Sequence, residues 1–140
     1  MNEIAPEPVF STEITVRWGD MDAYAHLNNT VYLRFMEEAR IQMLYEMGYT
    51  LDGKGQGPVI INAFSTFLKP VVYPDTLTVD CFVGEPGRSS FMSYYSLYSQ
   101  AQDDELVCEG SAKIVWIDTE TNSSVPLPQD IRLMIESKER

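Results

Sequence analysis

Histidine and cysteine are nearly absent from this chain, and their scarcity limits the metal chemistry open to it. The 140 residues include one histidine, His26, and two cysteines, Cys81 and Cys108. Zinc sites in proteins are built mainly from clusters of these residue types, so we predict no metal site. Each cysteine lies in an apolar alternating stretch, and two are too few for a disulfide scaffold. We therefore expect two buried thiols.

Basic residues are also scarce. The chain has 10 lysines and arginines against 21 aspartates and glutamates, a formal net charge of −11 at pH 7. Long-range repulsion then argues against nucleic acid or an anionic membrane as a partner. An anionic ligand would have to be held by a few local basic groups or by backbone dipoles.

Long apolar runs are missing as well. No segment approaches the roughly eighteen apolar residues that a membrane-spanning helix needs. The first eight residues carry glutamate and proline where a secretory signal would carry basic and then apolar residues. We therefore expect a cytoplasmic protein that does not enter a membrane.

The composition that is present is that of a folded domain, with 44% hydrophobic and 22% charged residues. The length predicts a single domain over residues 1–140, with a core at about 11–118 and a glycine-rich loop at 52–58. Apolar spacing predicts strands at Glu13–Trp18, Val59–Lys69, Thr76–Val83, Arg88–Gln100 and Glu105–Ile117, and helices at Thr30–Met47 and 129–137.

The long helix decides the predicted fold class. Its apolar stripe, which includes Phe35, Met36 and Met43, cannot stay in water, so a curved sheet is expected to wrap around it. The four strands after the helix are expected to form a meander, which makes an α+β fold with an antiparallel five-stranded sheet. The free edges of such a sheet favour pairing between protomers, so we predict a homodimer or a dimer-of-dimers tetramer.

The segment from Arg17 to Asn29 concentrates polar residues directly before this helix. It contains Asp20, Asp22 and His26. N–H groups in the first turn of a helix lack intrahelical partners and carry positive partial charge, so they can stabilise an oxyanion. A nearby carboxylate can then act as nucleophile or general base. The alternative, which the spacing alone favours, is that these residues form turns and cap the helix.

Three stretches of the sequence resemble one enzyme family. The first stretch is RWGDMDAYAHLNNTVYLRFMEEAR. It resembles the first strand, loop and helix of the hot-dog-fold acyl-CoA thioesterases of the 4-hydroxybenzoyl-CoA thioesterase type. The family's next strand junction resembles FLKPVVYPDTLTV, and its following hairpin resembles GRSSFMSYYSLY. The resemblance covers most residues from Glu13 to Ile117. It implies a hot-dog fold and an enzyme that hydrolyses an acyl-CoA to an acid and free thiol, without any cofactor beyond the coenzyme A of the substrate.

The resemblance also implies roles for individual residues. Asp22, the second aspartate of the G-D-x-D element, matches the family's catalytic carboxylate, which attacks the thioester or activates water. The backbone N–H at or near Asn29 would polarise the carbonyl, and His26 would orient Asp22 or take part in catalysis. Asp20 is interpreted as structural. A thiol leaving group with a pKa of about 8.5 departs without strong acid assistance.

Coenzyme A carries phosphates, so an acidic protein needs local groups to bind it. The turn with Arg88, Ser89 and Ser90 offers a guanidinium, two hydroxyls and backbone N–H groups, and the resemblance places it near the coenzyme A entrance. An ordinary β-turn with a solvated arginine is the alternative. Lys69 and Lys113 are weaker candidates. The acyl pocket is expected between helix and sheet, with Tyr24, Tyr32, Phe64 and Phe67 as possible lining residues.

Charged residues on the long helix are expected to serve stability. Glu37 and Glu38 are predicted to form salt bridges with Arg34 or Arg40. A glutamate on this helix is the nucleophile in another hot-dog subgroup, but here the aspartate position is already filled.

Two other functions stay open. A non-catalytic module that binds acyl-CoA would share the fold, but it would not need a carboxylate beside the thioester. A hot-dog hydratase or dehydratase pairs an aspartate with a histidine five positions later, whereas Asp22 lies four residues before His26, and Asp20 six. An acyl carrier protein could also replace coenzyme A in the substrate.

Overall fold

A five-stranded antiparallel sheet and one long helix make up most of the chain in the computed structural model, which describes residues 6–138. Residues 1–5 and 139–140, the ends of the predicted domain, lie outside the described residues. The elements are β1 (Phe10–Thr15), α1 (Asn29–Glu46), β2 (Gln56–Phe67), β3 (Thr76–Gly84), β4 (Ser90–Ser99), β5 (Glu105–Asp118) and α2 (Gln129–Lys138). The predicted α+β class is confirmed.

No helix within residues 6–138 combines the length and the apolar character that crossing a membrane requires. The cytoplasmic location inferred from the sequence stays a prediction.

The first two strands differ from their predicted bounds. β1 ends at Thr15, three residues before its predicted end. A short 3-10 turn begins at Trp18, so the strand does not reach that residue. β2 begins at Gln56, inside the stretch predicted as a loop, and pairs there with Asp118 of β5. Pairing along the sheet therefore orders residues whose glycine spacing indicated a flexible loop.

The order of the strands in the sheet is β1-β3-β4-β5-β2. β3, β4 and β5 are consecutive neighbours, as the predicted meander requires. β2 instead pairs with β5 at the far edge, so the prediction of a four-stranded meander is wrong for that strand. Alternating apolar residues indicate that a segment is a strand, but they do not specify which strand lies beside it.

Local signals explain where α1 begins and ends. Asn28 is the N-cap, and its side-chain oxygen accepts a hydrogen bond from the N–H of Thr30 at 2.9 Å. Gly48 follows the helix with a φ of 96°, a conformation that glycine adopts without strain. The observed helix therefore lies within one residue of the predicted one at both ends.

α1 packs closely against the sheet at Gly110 of β5. A Cβ atom at Gly110 would lie 2.4 Å from the sulfur of Met36 and 2.8 Å from the carbonyl oxygen of Phe64, so only glycine permits this approach. Two further residues of the helix, Tyr32 and Arg40, are buried although they lie outside the predicted apolar stripe. The helix is therefore covered over a wider face than its apolar residues indicate.

The predicted salt bridges of Glu37 and Glu38 do not form within residues 6–138. Arg40 instead donates a hydrogen bond to the hydroxyl of Tyr95 at 3.0 Å, and Glu38 accepts one within its own helix. The reason is that the sheet covers the helix face that carries Arg40, so the guanidinium is turned inward.

Burial differs strongly between the strands. On β3, Leu77, Val79 and Cys81 are buried. β2, by contrast, is exposed along most of its length. We use the name β2 edge for the exposed apolar residues on this strand and directly after it, which are Val59, Ile60, Ile61, Phe64, Phe67 and Leu68. Apolar side chains on an unpaired edge strand favour association with another chain.

Both cysteines are buried and unpaired, as predicted. Burial raises the pKa of the Cys81 thiol and of the Cys108 thiol to about 12. Both groups therefore stay neutral at pH 7 and are poor nucleophiles.

Candidate active site

The segment between β1 and α1 is a loop closed by its own backbone hydrogen bonds. The N–H of Asp22 donates to the carbonyl oxygen of His26 at 2.8 Å, and the N–H of Ala25 donates to that of Asp22 at 3.0 Å. The N–H of Leu27 donates to the carbonyl oxygen of Val71 at 2.8 Å, which ties the loop to the segment after β2. The loop is thereby held against the start of α1.

The two aspartates of this loop have different surroundings. Asp20 is buried, and its carboxylate accepts hydrogen bonds from the backbone N–H of Arg17 at 2.9 Å and from its guanidinium at 3.0 Å. These bonds tie Asp20 into the loop, and its structural role stays a prediction. Asp22 is half-buried, and its Oδ1 accepts from the N–H groups of Tyr24 at 2.9 Å and His26 at 3.4 Å. Its other oxygen, Oδ2, accepts no hydrogen bond from any residue in the range 6–138.

One N–H group at the start of α1 is left without a partner. Asn28 accepts the N–H of Thr30 through its side chain and the N–H of Val31 through its carbonyl oxygen at 2.9 Å. The N–H of Asn29, the first helical residue, has no acceptor in the described part of the chain. This group lies at the positive end of the helix dipole.

An open cleft of about 420 Å³ joins these groups, between the loop, the start of α1 and the end of β2. The residues that line it include Asp22, His26, Asn29, Tyr32, Phe67 and Lys69. The structure therefore brings together the three residues predicted to be catalytic, while their roles stay predictions. A carboxylate oxygen and a helix N–H on one cleft can together attack and polarise a carbonyl group.

His26 contacts Asp22 through its backbone rather than through its ring. Its N–H donates to the carboxylate and its carbonyl oxygen accepts from the N–H of Asp22. The imidazole is exposed and makes no hydrogen bond with any described residue. The ring is therefore free to contact a ligand in the cleft.

Tyr32 forms a buried wall of the cleft. It is 2% exposed, and its ring centroid lies 5.1 Å from that of Phe67. Burial, together with the nearby Cys108 and Asp22, raises the pKa of Tyr32 to about 12, although a hydrogen bond from the Val71 backbone acts in the opposite direction. The hydroxyl therefore stays protonated at pH 7 and can donate a hydrogen bond.

Three of the four aromatic residues predicted to line the acyl pocket lie in this cleft, namely Tyr24, Tyr32 and Phe67. Phe64 does not; it is 62% exposed on the β2 edge. Side chains alternate between the two faces of a strand, so Phe64 and Phe67, three positions apart, lie on opposite faces. Leu68 lines the cleft without any sequence signal that singled it out.

The predicted coenzyme A contacts lie at the other end of the sheet. Arg88, Ser89 and Ser90 lie at the start of β4, and Ser90 comes seven residues before Leu97. Leu97 is level with Phe67, the last residue of β2, with β5 between them. At the rise of a strand this is about 23 Å. One protomer therefore does not bring these three residues to the cleft.

The two lysines that are weaker candidates for binding coenzyme A lie in different parts of the structure. Lys69 lines the cleft and forms an ion pair with Glu105. Lys113 lies between the buried Ala112 and Ile114 of β5, so its side chain is on the outer face of the sheet. Lys69 is therefore the better placed of the two.

Comparison with known proteins identifies the family. The profile of the Thioesterase-like superfamily matches residues 16–135. The chain belongs to this superfamily. The match confirms the resemblance seen in the sequence and the predicted enzyme class, a thioester hydrolase.

Individual members of the superfamily are similar along nearly the whole chain. Long-chain acyl-CoA thioesterase FadM of Escherichia coli strain K12 is 27% identical over 128 residues, which are 89% of this chain and 96% of FadM. The PA2801 protein of Pseudomonas aeruginosa, provisionally assigned as a thioesterase, is 38% identical, with a TM-score of 0.87 over 91% of this chain and 98% of its own.

More distant structures share the fold. The 1,4-dihydroxy-2-naphthoyl-CoA thioesterase of Synechocystis is 21% identical, with a TM-score of 0.81 over 90% of this chain and 94% of its own. At this identity the likeness concerns the fold alone. Together with the topology described above, it confirms the predicted hot-dog fold.

Proposed function

We propose that this protein hydrolyses acyl-CoA thioesters to a carboxylic acid and free coenzyme A, with Asp22 as the catalytic carboxylate. The observation that carries the proposal is that the unbonded Oδ2 of Asp22 and the unbonded N–H of Asn29 belong to residues of the same cleft. Negative charge develops on the carbonyl oxygen during acyl transfer, and a helix N-terminus opposite the attacking group stabilises it. The similarity to FadM supports an acyl-CoA as the thioester.

In the proposed mechanism, the thioester carbonyl oxygen accepts a hydrogen bond from the N–H of Asn29. Asp22 either attacks the carbonyl carbon, giving an anhydride that water then hydrolyses, or takes a proton from the water molecule that attacks. In both routes the C–S bond breaks and coenzyme A leaves as a thiolate, which needs little acid assistance. The hydrogen bonds to Oδ1 hold the carboxylate in place, and no cofactor takes part.

We further propose that the active form is a homodimer, or a tetramer of such dimers, joined through the β2 edge. Antiparallel pairing of two β2 strands would place the partner's Gln56 beside Phe67 and cover the exposed apolar side chains. The same pairing would carry the partner's Arg88 turn towards the cleft. Coenzyme A phosphates could then be bound by Lys69 and by Arg88, Ser89 and Ser90 of the partner subunit.

A non-catalytic acyl-CoA-binding module is the second candidate, and one observation favours it. The hydrogen bond from the Tyr24 N–H to Oδ1 of Asp22 is a common turn of aspartate. Asp52, which does not line the cleft, accepts the same hydrogen bond from the N–H of Lys54 at 3.0 Å. A turn of this kind would exist whether or not Asp22 acts on a thioester.

Thiol release from a panel of acyl-CoA and acyl-carrier-protein thioesters tests the proposal. Asp22→Asn should lower kcat/KM by about 100-fold or more, because general-base and nucleophilic contributions are of that size. The matched control is Asp52→Asn, which makes the same charge change in the same type of turn and should leave kcat/KM unchanged. An asparagine can form the same turn, so both variants are expected to fold.

The possible outcomes separate the two candidates. Equal turnover by the native protein and Asp22→Asn would remove Asp22 from the mechanism. Tight binding of acyl-CoA without release of thiol from any thioester of the panel would instead support the binding module.

A further inference from the structure

A second cavity lies beside the cleft, between α1 and β2, with a volume of about 290 Å³. Its walls include Arg34, Glu37 and Arg40 from the helix, Ile60 from β2 and Tyr95 from β4. Nothing in the mechanism above uses these residues. The cavity is unusual because one of its walls is a buried arginine.

Arg40 is held from behind by a chain of neutral groups. It is 8% exposed, and its guanidinium donates to the Tyr95 hydroxyl at 3.0 Å. That hydroxyl donates to Oγ of Ser93 at 2.7 Å, which donates in turn to the carbonyl oxygen of Ala112 at 3.0 Å. Every hydroxyl proton in the chain is thus committed, and the position of the guanidinium is defined.

No carboxylate compensates the charge of Arg40 within residues 6–138. A guanidinium carries five N–H donors, and a single hydrogen bond to Tyr95 leaves most of them without a protein acceptor. Every guanidinium nitrogen of Arg40 either makes a hydrogen bond or keeps some accessible surface. The remaining N–H groups are therefore accessible from the cavity. A buried, unpaired charge is costly, which indicates a site that an anion completes.

The charges around the cavity favour an anion as well. Arg34 and Arg40 contribute two positive charges, whereas Glu37 contributes one negative charge. Glu37 lies three residues before Arg40 and yet forms no ion pair with it. In a chain with a net charge of −11, this local excess of positive charge is an exception.

The cavity and the cleft lie along the same helix, α1. Asn29 lines the cleft, and the next residue, Thr30, lines the cavity. Arg40 lies eleven residues after Asn29, which is about 16 Å along the helix axis. Side chains of a helix lean towards its N-terminus, so the guanidinium is closer to the cleft than this length.

We propose that this cavity binds a carboxylate at the far end of the acyl group, so that the preferred substrates are acyl-CoAs whose acyl chain ends in a carboxylate. The thioester carbonyl would lie at Asn29, the chain would follow α1, and the terminal carboxylate would accept paired hydrogen bonds from Arg40. This inference rests on the proposed thioesterase function and names its substrate class.

The test compares matched thioesters on the native, full-length protein. Adipoyl-, suberoyl- and sebacoyl-CoA are paired with hexanoyl-, octanoyl- and decanoyl-CoA, which have the same lengths but end in a methyl group. For at least one pair, kcat/KM should favour the carboxylate-ended substrate by about tenfold or more, mainly through KM. In Arg40→Met that ratio should fall to about one, and Arg40→Lys should give an intermediate ratio.

A control variant corrects for the change in overall charge. Lys54→Met removes one positive charge from an exposed loop outside both the cleft and the cavity, and it should leave the ratio unchanged. The comparison on the native protein stands by itself if an Arg40 variant does not fold.

The outcomes distinguish this inference from the proposed function. Equal or better cleavage of the methyl-ended member of every pair would overturn the carboxylate site while leaving the thioesterase intact. Absence of thiol release from these six substrates and from every thioester of the wider panel would overturn the thioesterase itself. Weaker self-association of Arg40→Met with an unaltered substrate ratio would assign the guanidinium to a second copy of the chain and also overturn the site.

Discussion

The two edge strands of the sheet differ in what they expose. β1 presents polar groups that are already paired, since Ser11 donates to Asp80 at 2.6 Å and Glu13 accepts from Gln100 at 2.9 Å. β2 presents the apolar side chains of the β2 edge, and both cavities open beside it, at Phe67 and at Ile60. One edge is therefore closed by polar contacts within the protomer, while the other leaves apolar side chains exposed.

The two halves of the sheet differ in packing. α1 covers the inner face of the sheet and approaches β5 closely at Gly110, while β2 is exposed along most of its length. The half of the sheet built from β3 and β4 is fully packed and supplies stability. The space beside β2 stays open because no side chain of the same protomer fills it.

The largest effect is expected from a charge on the β2 edge, which tests the difference between the two edge strands. Phe64→Glu should raise the dissociation constant of the dimer by 100-fold or more, because an unpaired carboxylate buried in an interface costs roughly 3–5 kcal/mol. Sedimentation equilibrium measures the change. Ser11→Glu on β1 is the control and should leave assembly unchanged. A native protein that is monomeric at micromolar concentration would contradict the assigned role of this edge.

A smaller effect is expected from adding a methyl group where α1 packs against β5. Gly110→Ala places a methyl group against Met36 and the Phe64 carbonyl, and it should lower the free energy of unfolding by about 1–3 kcal/mol. Gly57→Ala is the matched control on β2, where no atom lies within 4 Å of the added Cβ. Chemical denaturation of both variants measures the difference. Equal stabilities would mean that the packed half is looser than described.

The smallest effect, taken at pH 9, concerns the buried acids of the packed interior. The pKa values of Cys81, Cys108 and Tyr32 are all raised to about 12, so the unfolded chain loses these protons at lower pH than the native protein. The stability they contribute is complete below about pH 8 and is lost as the pH rises through 9 towards 12. At pH 9 the loss should be only about 1 kcal/mol.

Denaturation midpoints between pH 8 and 11 measure this decline, and Cys81→Ala and Cys108→Ala should each make it shallower. A stability that is constant up to pH 11 would show that these groups ionise freely in the native protein. In that case the interior beside β2 would be open to solvent.

Much of the fold could be predicted from the sequence because its signals are local. The cap at Asn28 and the turn at Gly48 specify α1 to within a residue, and alternation on β3 specifies which side chains are buried. The grouping of Asp22, His26 and Asn29 is local too. They lie within eight positions of one loop, so any fold that keeps the loop keeps them together.

Only the tertiary structure decides three features: the position of β2, the inward turn of Arg40 and the place of Lys69 on the cleft. Each depends on residues that are distant in sequence, since β2 pairs with β5, Arg40 bonds to Tyr95, and Lys69 joins the cleft across the end of the sheet. Strand periodicity and helix spacing carry no information on which elements become neighbours. The sequence by itself determined the loop before α1, and the packing of distant segments determined the cleft and the cavity beside β2.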